Sequence, residues 1–513
     1  MWSGETGMSI PRSTDGSSVS ARAERKRVAR LAAGALAPVL AVLVACAPAE
    51  PAATDMLLTV AETLSSAQSA GGEFISWREH RIDDEELSGG VPMRGADGLK
   101  TADLDGDGHL DIVTVHEDSD HVRLHFGSGD PNRWTSVTLA EGREAAAAED
   151  IAIGDVNGDG LLDVLVACEL DHLTYFQNPG RDVREGRWPR LIPSVTAGRG
   201  SWIRVYLADL DQDGRLEAVA PNKGAQQPEG EPVPDTFPLE EISLFRIDGD
   251  PLVDSSWTET ALATVTVPMN SRPVDLDGDG DLDILAGSRS EARIFWLENL
   301  LEAGSGLVFE EHPIEVTGRT VPWERGPRRL TGMNVEFADL NHDGRLDMVL
   351  QETPVLNVWL EQPADPVAEA WTIHPIGDTA PDNPTGLALF DVDDDGDLDL
   401  WSGGYSSRPR DRDGEDKTAA SVAGRLGWFE NPGNAAGEWT RHDVSRRVRG
   451  MFDEFVVVDM DDDGDDDLVA TRGNSGHYDG VFWLEQVRTA EPWRAFFPAR
   501  DSESRHLPLP PDD

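Results

Sequence analysis

The sequence predicts an all-β fold, a seven-bladed β-propeller with a calcium-binding hairpin loop in each blade. Three observations support this prediction. A nine-residue acidic segment, with oxygen-bearing side chains at positions 1, 3, 5 and 9 and glycine at position 6, occurs seven times. Short apolar runs of strand length flank the copies. The copies are spaced by roughly 50 to 70 residues, which is enough for the four short strands of one propeller blade.

The acidic segments have the chemistry of a hard-cation site. The clearest copy runs from Asp275 to Asp283, and its alternating carboxylates repel one another unless a cation lies between them. Calcium takes about six to eight oxygen ligands, and glycine permits the sharp turn that folds a loop around the ion. The predicted ligands at positions 1, 3, 5 and 9 are Asp103, Asp105, Asp107 and Asp111; Asp155, Asn157, Asp159 and Asp163; Asp209, Asp211, Asp213 and Glu217; Asp275, Asp277, Asp279 and Asp283; Asp339, Asn341, Asp343 and Asp347; Asp391, Asp393, Asp395 and Asp399; and Asp459, Asp461, Asp463 and Asp467.

The EF-hand is the main alternative for such a loop, and the sequence excludes it. An EF-hand needs a bidentate glutamate at position 12 and a helix on each side. The flanking runs, such as 205–208 and 455–458, have the composition of strands and lack helical periodicity. Position 12 holds no carboxylate in any copy: it is Thr114, Val166, Ala220, Ala286, Leu350, Ser402 or Ala470. Each loop is therefore predicted to be the tip of a β-hairpin.

The formal net charge of −52 agrees with a metal-binding role for the acidic segments. Up to seven structural Ca²⁺ ions would offset part of this charge. Because the molecule is so acidic, nucleic acid is not an expected partner. We expect a monomer.

The first 46 residues have the organisation of a signal peptide. A basic stretch precedes an apolar run from Leu31 to Ala45, which is too short for a comfortable membrane span. The run ends in Leu43-Val44-Ala45-Cys46, which resembles the lipobox of bacterial lipoproteins, and Cys46 is the predicted lipidation site. The alternative is an ordinary signal peptide cut near the same alanines. The predicted product is an exported, membrane-anchored lipoprotein, facing the periplasm or on the cell surface, whose only membrane contact is the lipid.

Residues 47–72 are predicted to be a linker, 73–500 the propeller and 501–513 a C-terminal tail. Two segments compete to close the ring: Trp77–Ile82, which is similar to the predicted fourth strand Trp371–Ile376, and Trp493–Phe497. The sequence leaves this choice open. Three histidines at equivalent fourth-strand positions are either a metal site or a repeated structural feature, and their repetition favours the second interpretation: His312, His374 and His442.

The chain resembles the FG-GAP/VCBS repeat family, which includes the propeller of integrin α chains. The resemblance covers roughly residues 74–497 and rests on the seven loops of the form D-x-[DN]-x-D-G-x-x-[DE]. It implies that each loop joins the first two strands of a blade and binds Ca²⁺, and that the opposite face carries ligand contacts. It also implies a further ligand at position 7, a backbone carbonyl in the first loop, which places His109, Leu161, Arg215, Asp281, Arg345, Asp397 and Asp465 in the metal sites.

Two arginine-rich connections before the fifth and seventh loops are predicted to lie on that opposite face. They contain Arg319, Trp323, Arg325, Arg328, Arg329, Arg446, Arg447 and Arg449. Arginine holds carboxylate or sulfate groups bidentately, so these residues are the predicted contacts for an anionic ligand. The alternative is that the arginines pair with acidic groups of the protein or are simply solvated.

The sequence therefore favours a secreted, lipid-anchored propeller that acts as a binding or adhesion module for an anionic glycan or a protein ligand. The alternative is an enzyme similar to the polysaccharide lyases of this broad fold, acting on acidic polysaccharide. Because the repeats occupy nearly the whole chain and no catalytic motif is present, we identify no catalytic residue.

Overall fold

A computed structural model describes residues 58–225, 236–301, 306–319, 329–406, 409–435, 437–500 and 502–511. The described residues all belong to one compact unit, Leu57–Asp513. The predicted signal peptide and Cys46 lie outside the described residues. Within the described ranges, no helix is long and apolar enough to span a bilayer.

The described residues form β-strands joined by turns and a few short 3₁₀-helices. The 3₁₀-helices are Val60–Glu62, Glu117–Ser119, Gly142–Ala145, Gly180–Glu185, Asp254–Ser256 and Gly476–Tyr478. In chain order the strands are β1 (Phe74–Asp84), β2 (Ala96–Ala102), β3 (Asp111–His116), β4 (His121–Phe126), β5 (Thr135–Glu141), β6 (Ala148–Gly154), β7 (Asp163–Cys168), β8 (Leu173–Phe176), β9 (Arg190–Leu191), β10 (Tyr206–Ala208), β11 (Glu217–Pro221), β12 (Leu239–Ile247), β13 (Trp257–Thr266), β14 (Pro268–Val274), β15 (Asp283–Ser288), β16 (Arg293–Asn299), β17 (Phe309–Pro313), β18 (Val316–Thr317), β19 (Arg329–Ala338), β20 (Asp347–Thr353), β21 (Leu356–Glu361), β22 (Trp371–Asp378), β23 (Asn383–Phe390), β24 (Asp399–Tyr405), β25 (Gly424–Glu430), β26 (Thr440–Arg447), β27 (Phe455–Val458), β28 (Asp467–Arg472), β29 (Gly480–Thr489) and β30 (Phe496–Phe497).

These strands form seven separate sheets, one for each acidic loop. The blades are β2–β5, β6–β9, β10–β13, β14–β17, β19–β22, β23–β26 and β27–β29 with β1. Within a blade each strand pairs antiparallel with the next, as short connections require. The first strands of successive blades contact one another, and β27 of the last blade contacts β2 of the first. The chain is therefore a closed seven-bladed β-propeller, as the sequence predicts.

The N-terminal strand closes the ring. β1 pairs antiparallel with β29, with Trp77 opposite Gln486, and so supplies the fourth strand of the seventh blade. The competing C-terminal segment forms β30, which adds parallel to the outer edge of β1. Both segments thus join the same blade, and the question that the sequence leaves open is answered in favour of the N-terminal strand.

A repeated contact explains the fourth-strand histidines. In four blades a histidine ring stacks or tilts against a third-strand tryptophan and contacts a third-strand glutamate. In the fifth blade, His374 lies 4.3 Å from the ring of Trp359 and 2.9 Å from Glu361. The other three sets are His80 with Trp483 and Glu485, His312 with Trp296 and Glu298, and His442 with Trp428 and Glu430. The structural interpretation is confirmed, because each histidine lies in its own blade.

The core lies between neighbouring blades. One cluster, for example, joins Val113 and Val122 of the first blade to Ile151 and Val164 of the second. Cys168 is buried in the same cluster as a free thiol, and burial raises its pKa to about 12. Such a side chain behaves as a small apolar core residue.

The segments outside the repeats are packed against the propeller. Ala61 and Ala67, in the predicted linker, are buried in the core of the last two blades. The Val60 amide donates to the Leu507 carbonyl at 3.1 Å, and the Leu507 amide donates to Arg446 of β26 at 2.8 Å. Residues 58–72 are therefore not an extended linker, because apolar side chains in this stretch bury themselves on the blades.

Candidate functional site: the seven acidic loops

Every acidic loop connects the first strand of a blade to the second. The fourth loop, for example, follows β14 and ends at Asp283, the first residue of β15. Because the first strands surround the axis and run in the same direction, the seven loops lie on one face of the propeller. We call this face the loop face. The connections between second and third strands and between blades lie on the opposite face.

Two positions in each loop adopt left-handed backbone conformations. Glycine at position 6 has a positive φ in all seven loops, from 85° at Gly344 to 97° at Gly280 and Gly396. This conformation disfavours a side chain, which explains the repeated glycine. Position 4 also has a positive φ in every loop, although in four of them it is not glycine: Gln212, His342, Asp394 and Asp462. The sequence pattern predicts the first feature, but it carries no signal for the second because position 4 varies in residue type.

The loop carboxylates at positions 1, 3 and 5 fold the loop by accepting backbone hydrogen bonds. In the first loop the Asp103 carboxylate accepts from the amides of Gly106 at 2.8 Å and Gly108 at 3.0 Å. Asp105 accepts from the Asp107 amide at 3.1 Å, and Asp107 accepts from the His109 amide at 2.9 Å. These bonds turn the loop back on itself and bring the side chains together.

The carboxylate at position 9 anchors the loop to its blade. Asp283 is fully buried, and its two oxygens accept hydrogen bonds from the amides of Leu276 at 3.0 Å and Asn299 at 2.8 Å. The first amide belongs to loop position 2, and the second belongs to the end of the third strand. The same pair of bonds is made by Asp111, Asp163, Asp347, Asp399 and Asp467. Position 9 is therefore an anchor of the loop as well as a potential ligand.

Burial and the neighbouring loop carboxylates raise the pKa of these anchors. The pKa of Asp111 is about 6, that of Asp283 and Asp347 about 7, and that of Asp399 and Asp467 about 8. Burial is the largest cause in each case, and repulsion by the charges at positions 3, 5 or 7 adds to it. A positive ion at the loop would oppose this effect and favour the charged carboxylates.

The arrangement of oxygens fits a hard divalent cation. In several loops three carboxylates each offer an oxygen, and these oxygens lie within 4.8 Å of one another. The sets are Asp103, Asp105 and Asp111; Asp209, Asp211 and Asp213; Asp275, Asp277 and Asp279; and Asp391, Asp393 and Asp399. Oxygen donors at this density are typical of sites for Ca²⁺ or Mg²⁺. Glu217 in the third loop accepts from the Leu210 amide at 3.0 Å, so its longer side chain keeps the anchoring contact.

Basic side chains contact some of the loops from outside. Arg184, in the second blade, pairs with Asp105 and with Asp107 of the first loop, the latter at 2.7 Å. Arg246 contacts Asp211 at 2.9 Å in the third loop, and Arg345 pairs with Asp343 in the fifth. These guanidinium groups offset part of the loop charge but leave several carboxylates of each loop without a cationic partner among the described residues.

Amide side chains connect neighbouring loops, a feature that the sequence analysis misses. The residue that follows the third strand, or ends it, donates a side-chain hydrogen bond to position 2 of the preceding blade's loop. Asn178 reaches the Leu104 carbonyl at 2.9 Å, and Gln362 reaches that of Leu276 at 2.7 Å. Asn299 makes the same contact with Leu210 at 2.9 Å. The turn signal Asn178-Pro179-Gly180 marks the position in the sequence, but it does not reveal the contact between blades.

The arginines predicted to bind a ligand are placed differently from one another. Trp323, Arg325 and Arg328 lie outside the described residues. Arg329 is exposed at the start of β19, and the Arg319 side chain is 41% exposed and lies 2.7 Å from Glu352. Both lie on the side of the blade opposite the loop face.

The second arginine-rich connection is buried, which corrects the expectation that it faces a ligand. Arg446 and Arg447 are 0% and 1% exposed, and Arg449 is 5% exposed. Arg446 contacts both oxygens of Asp382, at 2.7 and 2.9 Å. Arg447 lies 2.8 Å from Glu79 in β1. Since the C-terminal residues around Leu507 cover β26, these guanidinium groups pair inside the protein, as the alternative interpretation holds.

A polar cavity of about 480 Å³ lies on the propeller axis. First strands, or the residues just before them, line it in every blade, and charged groups of both signs are present. Lys100 pairs with Glu454, and Arg204 contacts Asn334 at 2.8 Å and Asp453 at 3.4 Å. The positive and negative side chains that line the cavity therefore largely neutralise one another.

Comparisons with known proteins agree with the repeat structure. The FG-GAP-like repeat family model matches three segments, 103–166, 155–220 and 275–350, so the chain contains FG-GAP-like repeats. A search of curated proteins finds no match.

Among solved structures, the chain is similar to YCF48 from Cyanidioschyzon merolae, with 9% identity, 80% of this chain and 98% of that chain covered, and a TM-score of 0.44. A proposed gluconolactonase has 11% identity, coverages of 83% and 98%, and a TM-score of 0.37. Neither likeness bears on function.

Proposed function

We propose that this protein is a calcium-stabilised β-propeller that acts as an exported binding module. The observation that carries the proposal is the seven-fold repetition of one loop architecture, with folding contacts at position 1 and anchoring contacts at position 9. A loop that only had to turn would not need several carboxylates within a few ångströms. Bound Ca²⁺ would neutralise this repulsion, so we assign it a structural role at up to seven loops.

Export and anchoring follow from the N-terminal sequence. The basic stretch, the apolar run and the Leu43-Val44-Ala45-Cys46 segment support cleavage before Cys46 and its lipidation. Replacing Cys46 with serine should leave the protein unprocessed or release it from the membrane fraction. Mass spectrometry of the purified membrane form measures this: a lipid-modified Cys46 at the N-terminus is expected, and an unmodified N-terminus elsewhere would contradict the proposal.

The ligand we propose is an anionic glycan, bound on the face opposite the loops around the connection before the fifth blade. Arg319 and Arg329 lie on that face, and Trp323, Arg325 and Arg328 belong to the same connection in the sequence. Guanidinium groups and one tryptophan suit a sugar ring that carries carboxylate or sulfate. The rest of the acidic molecule would repel polyanions, which would restrict binding to this patch.

Binding to uronate-containing and sulfated glycans, measured at low and high salt, tests the ligand. Replacing Arg319, Arg325, Arg328 and Arg329 with serine should abolish binding, and salt should weaken the wild-type interaction. The double variant Arg181→Ser and Arg187→Ser is the control, because both residues are exposed on the loop face. Binding that ignores salt and all four substitutions would contradict the proposed patch.

The lyase alternative gains no support from Lys100 or Tyr206 in the axial cavity. A lyase needs a base whose pKa lies near the working pH. Burial raises the pKa of Tyr206, and although burial alone would lower that of Lys100, the neighbouring Glu454 and Asp150 outweigh it and raise that pKa too. Both side chains therefore remain protonated near neutral pH and cannot act as a general base. We propose no catalytic function.

A further inference from the structure

Three carboxylates outside the acidic loops meet near the axis, at the end of the first strands remote from the loop face. Asp97 lies in β2, Glu149 in β6, and Glu117 directly after β3. An oxygen of each lies within 4.8 Å of the others. Asp97 and Glu149 are only 4% and 8% exposed. Both sit at β-bulges, which turn their side chains out of the regular alternation of the strand.

No basic side chain of the described residues pairs directly with this cluster. None of the three carboxylates has an ion pair within 4.0 Å among the described residues. The Oδ2 atom of Asp97 is buried without a hydrogen-bond partner there. The basic groups nearby make no ion pair with the cluster: Lys223 pairs with Glu169, Arg410 lies 2.9 Å from Asp118, and the guanidinium of Arg289 contacts the Met269 sulfur. Charged carboxylates that lie this close together without ion pairs repel one another, so either a cation or bound protons must offset their charge.

The propeller itself does not need carboxylates at these positions. Asp97 and Glu149 each stand six residues before a loop, and the equivalent residues of the next three blades are Ile203, Met269 and Met333. The seventh blade has Asp453 there, but it is bonded to Thr385 and contacts Asn334 and Arg204. In the other five blades this position therefore holds an apolar side chain, the threonine Thr385, or a carboxylate that is paired within the protein.

The same comparison applies to Glu117. Its equivalent in the second blade is Glu169, which pairs with Lys223 of the third blade. Glu117 makes no ion pair within 4.0 Å in the described part of the chain and instead lies close to Asp97 and Glu149. Among the described residues, the first two blades thus place three carboxylates without ion pairs together, whereas the equivalent carboxylates of other blades, Glu169 and Asp453, are paired.

We propose that Asp97, Glu117 and Glu149 bind a hard divalent cation, such as Ca²⁺, at a site separate from the seven acidic loops. Carboxylate oxygens are the donors that such cations prefer, and solvent completes the shell on the side where Glu117 is partly exposed. The ion would join the first two blades at the face opposite the loops. Its role would be to fix the entrance of the axial cavity on that face.

Counting bound Ca²⁺ by native mass spectrometry tests this site independently of the loops. The wild-type protein should carry one ion more than the double variant Asp97→Asn and Glu149→Gln. The matched control is Asp453→Asn. It removes a carboxylate at the same level of the ring, but one that is already bonded to other side chains of the protein. This variant should carry as many ions as wild type. Equal counts in wild type and the double variant would overturn the site, whatever the number bound at the loops.

Thermal unfolding in excess chelator separates a cation from shared protons. Without metal, the double variant should melt at or above the wild-type melting temperature, because the repulsion between the carboxylates is gone. Added Ca²⁺ should raise its melting temperature by less than it raises that of wild type. An equal gain in both proteins would also overturn the proposal. If the double variant does not fold, Glu117→Gln, at a partly exposed position in a connection, serves the same comparison and should lose one ion.

Discussion

At the scale of the residue, backbone conformation and hydrogen bonding explain the shape of each loop better than charge alone does. Positions 4 and 6 both have positive φ, and the carboxylates at positions 1, 3 and 5 accept amide hydrogen bonds that hold this turn. These hydrogen bonds stabilise the turn in addition to any bound ion. The glycine at position 6 is the residue that the shape depends on, since a side chain is disfavoured there.

Replacing Gly280 with alanine should therefore destabilise the protein. Its φ of 97° lies in the region that L side chains avoid, which costs roughly 1–2 kcal/mol. Urea unfolding in the presence of Ca²⁺ measures the free energy of unfolding. Gly71→Ala is the control, because Gly71 has no positive φ and an added Cβ would meet only Ser69 at 3.4 Å. Equal losses in the two variants would show that the turn does not depend on Gly280.

At the scale of the element, β1 is held in place by a buried ion network as well as by its strand pairing. Glu79 lies 2.8 Å from Arg447 and 3.2 Å from Arg472, and both arginines contact Glu503. The Ala499 amide also donates to Glu79 at 3.0 Å. The network thus connects the first strand of the chain to β26, β28 and the C-terminal segment, which are the parts that close the ring.

Substituting Glu79 by glutamine should cost about 3 kcal/mol at pH 7, because it leaves buried arginines without a full partner. Burial alone would raise the pKa of Glu79, but Arg447 and Arg472 outweigh it and lower the pKa to about 2. A lowered pKa means that the charged form stabilises the fold above the ordinary value of 4.5. This contribution should fade as the pH falls from about 4.5 toward 2.

Urea unfolding of wild type and the Glu79→Gln variant at pH 7, 4 and 3 measures this dependence. The difference between the two proteins should shrink at the lower pH values. Glu86→Gln is the control. The Glu86 side chain pairs with Arg81 but is 72% exposed, so its replacement should change the free energy of unfolding by less than about 1 kcal/mol. A difference that stays constant with pH would show that the charge of Glu79 does not stabilise the closure.

At the scale of the whole molecule, the repeat makes the fold predictable from the sequence. Loops such as Asp275–Asp283 combine acidic periodicity, a fixed glycine and strand-like flanks, so local signals and the repeat period lead to the same architecture. The role of position 9 is harder to predict, because an aspartate that anchors a loop and an aspartate that binds a metal look the same in a sequence. The backbone contacts of Asp283 distinguish these roles only in three dimensions.

The arginine-rich connection before the seventh loop shows the limit of such prediction. Arg446 and Arg447 lie in a strongly charged stretch, and charged stretches usually face solvent. Here their partners, Asp382, Glu79 and Glu503, come from distant parts of the sequence. The pairs with Glu79 and Glu503 form when the ring closes, and the pair with Asp382 forms when the sixth blade folds. A single sequence carries no signal for either.

Thermal unfolding of the protein in millimolar Ca²⁺ and in excess chelator shows whether calcium stabilises the acidic loops. Ions that bind only the folded loops should raise the melting temperature steeply, since a single site at a hundred times its Kd contributes about 2.7 kcal/mol. We expect the melting temperature to be much higher in Ca²⁺ than without it, and we expect excess chelator to reverse this increase. The same melting temperature in both conditions would contradict a structural role for calcium in the acidic loops.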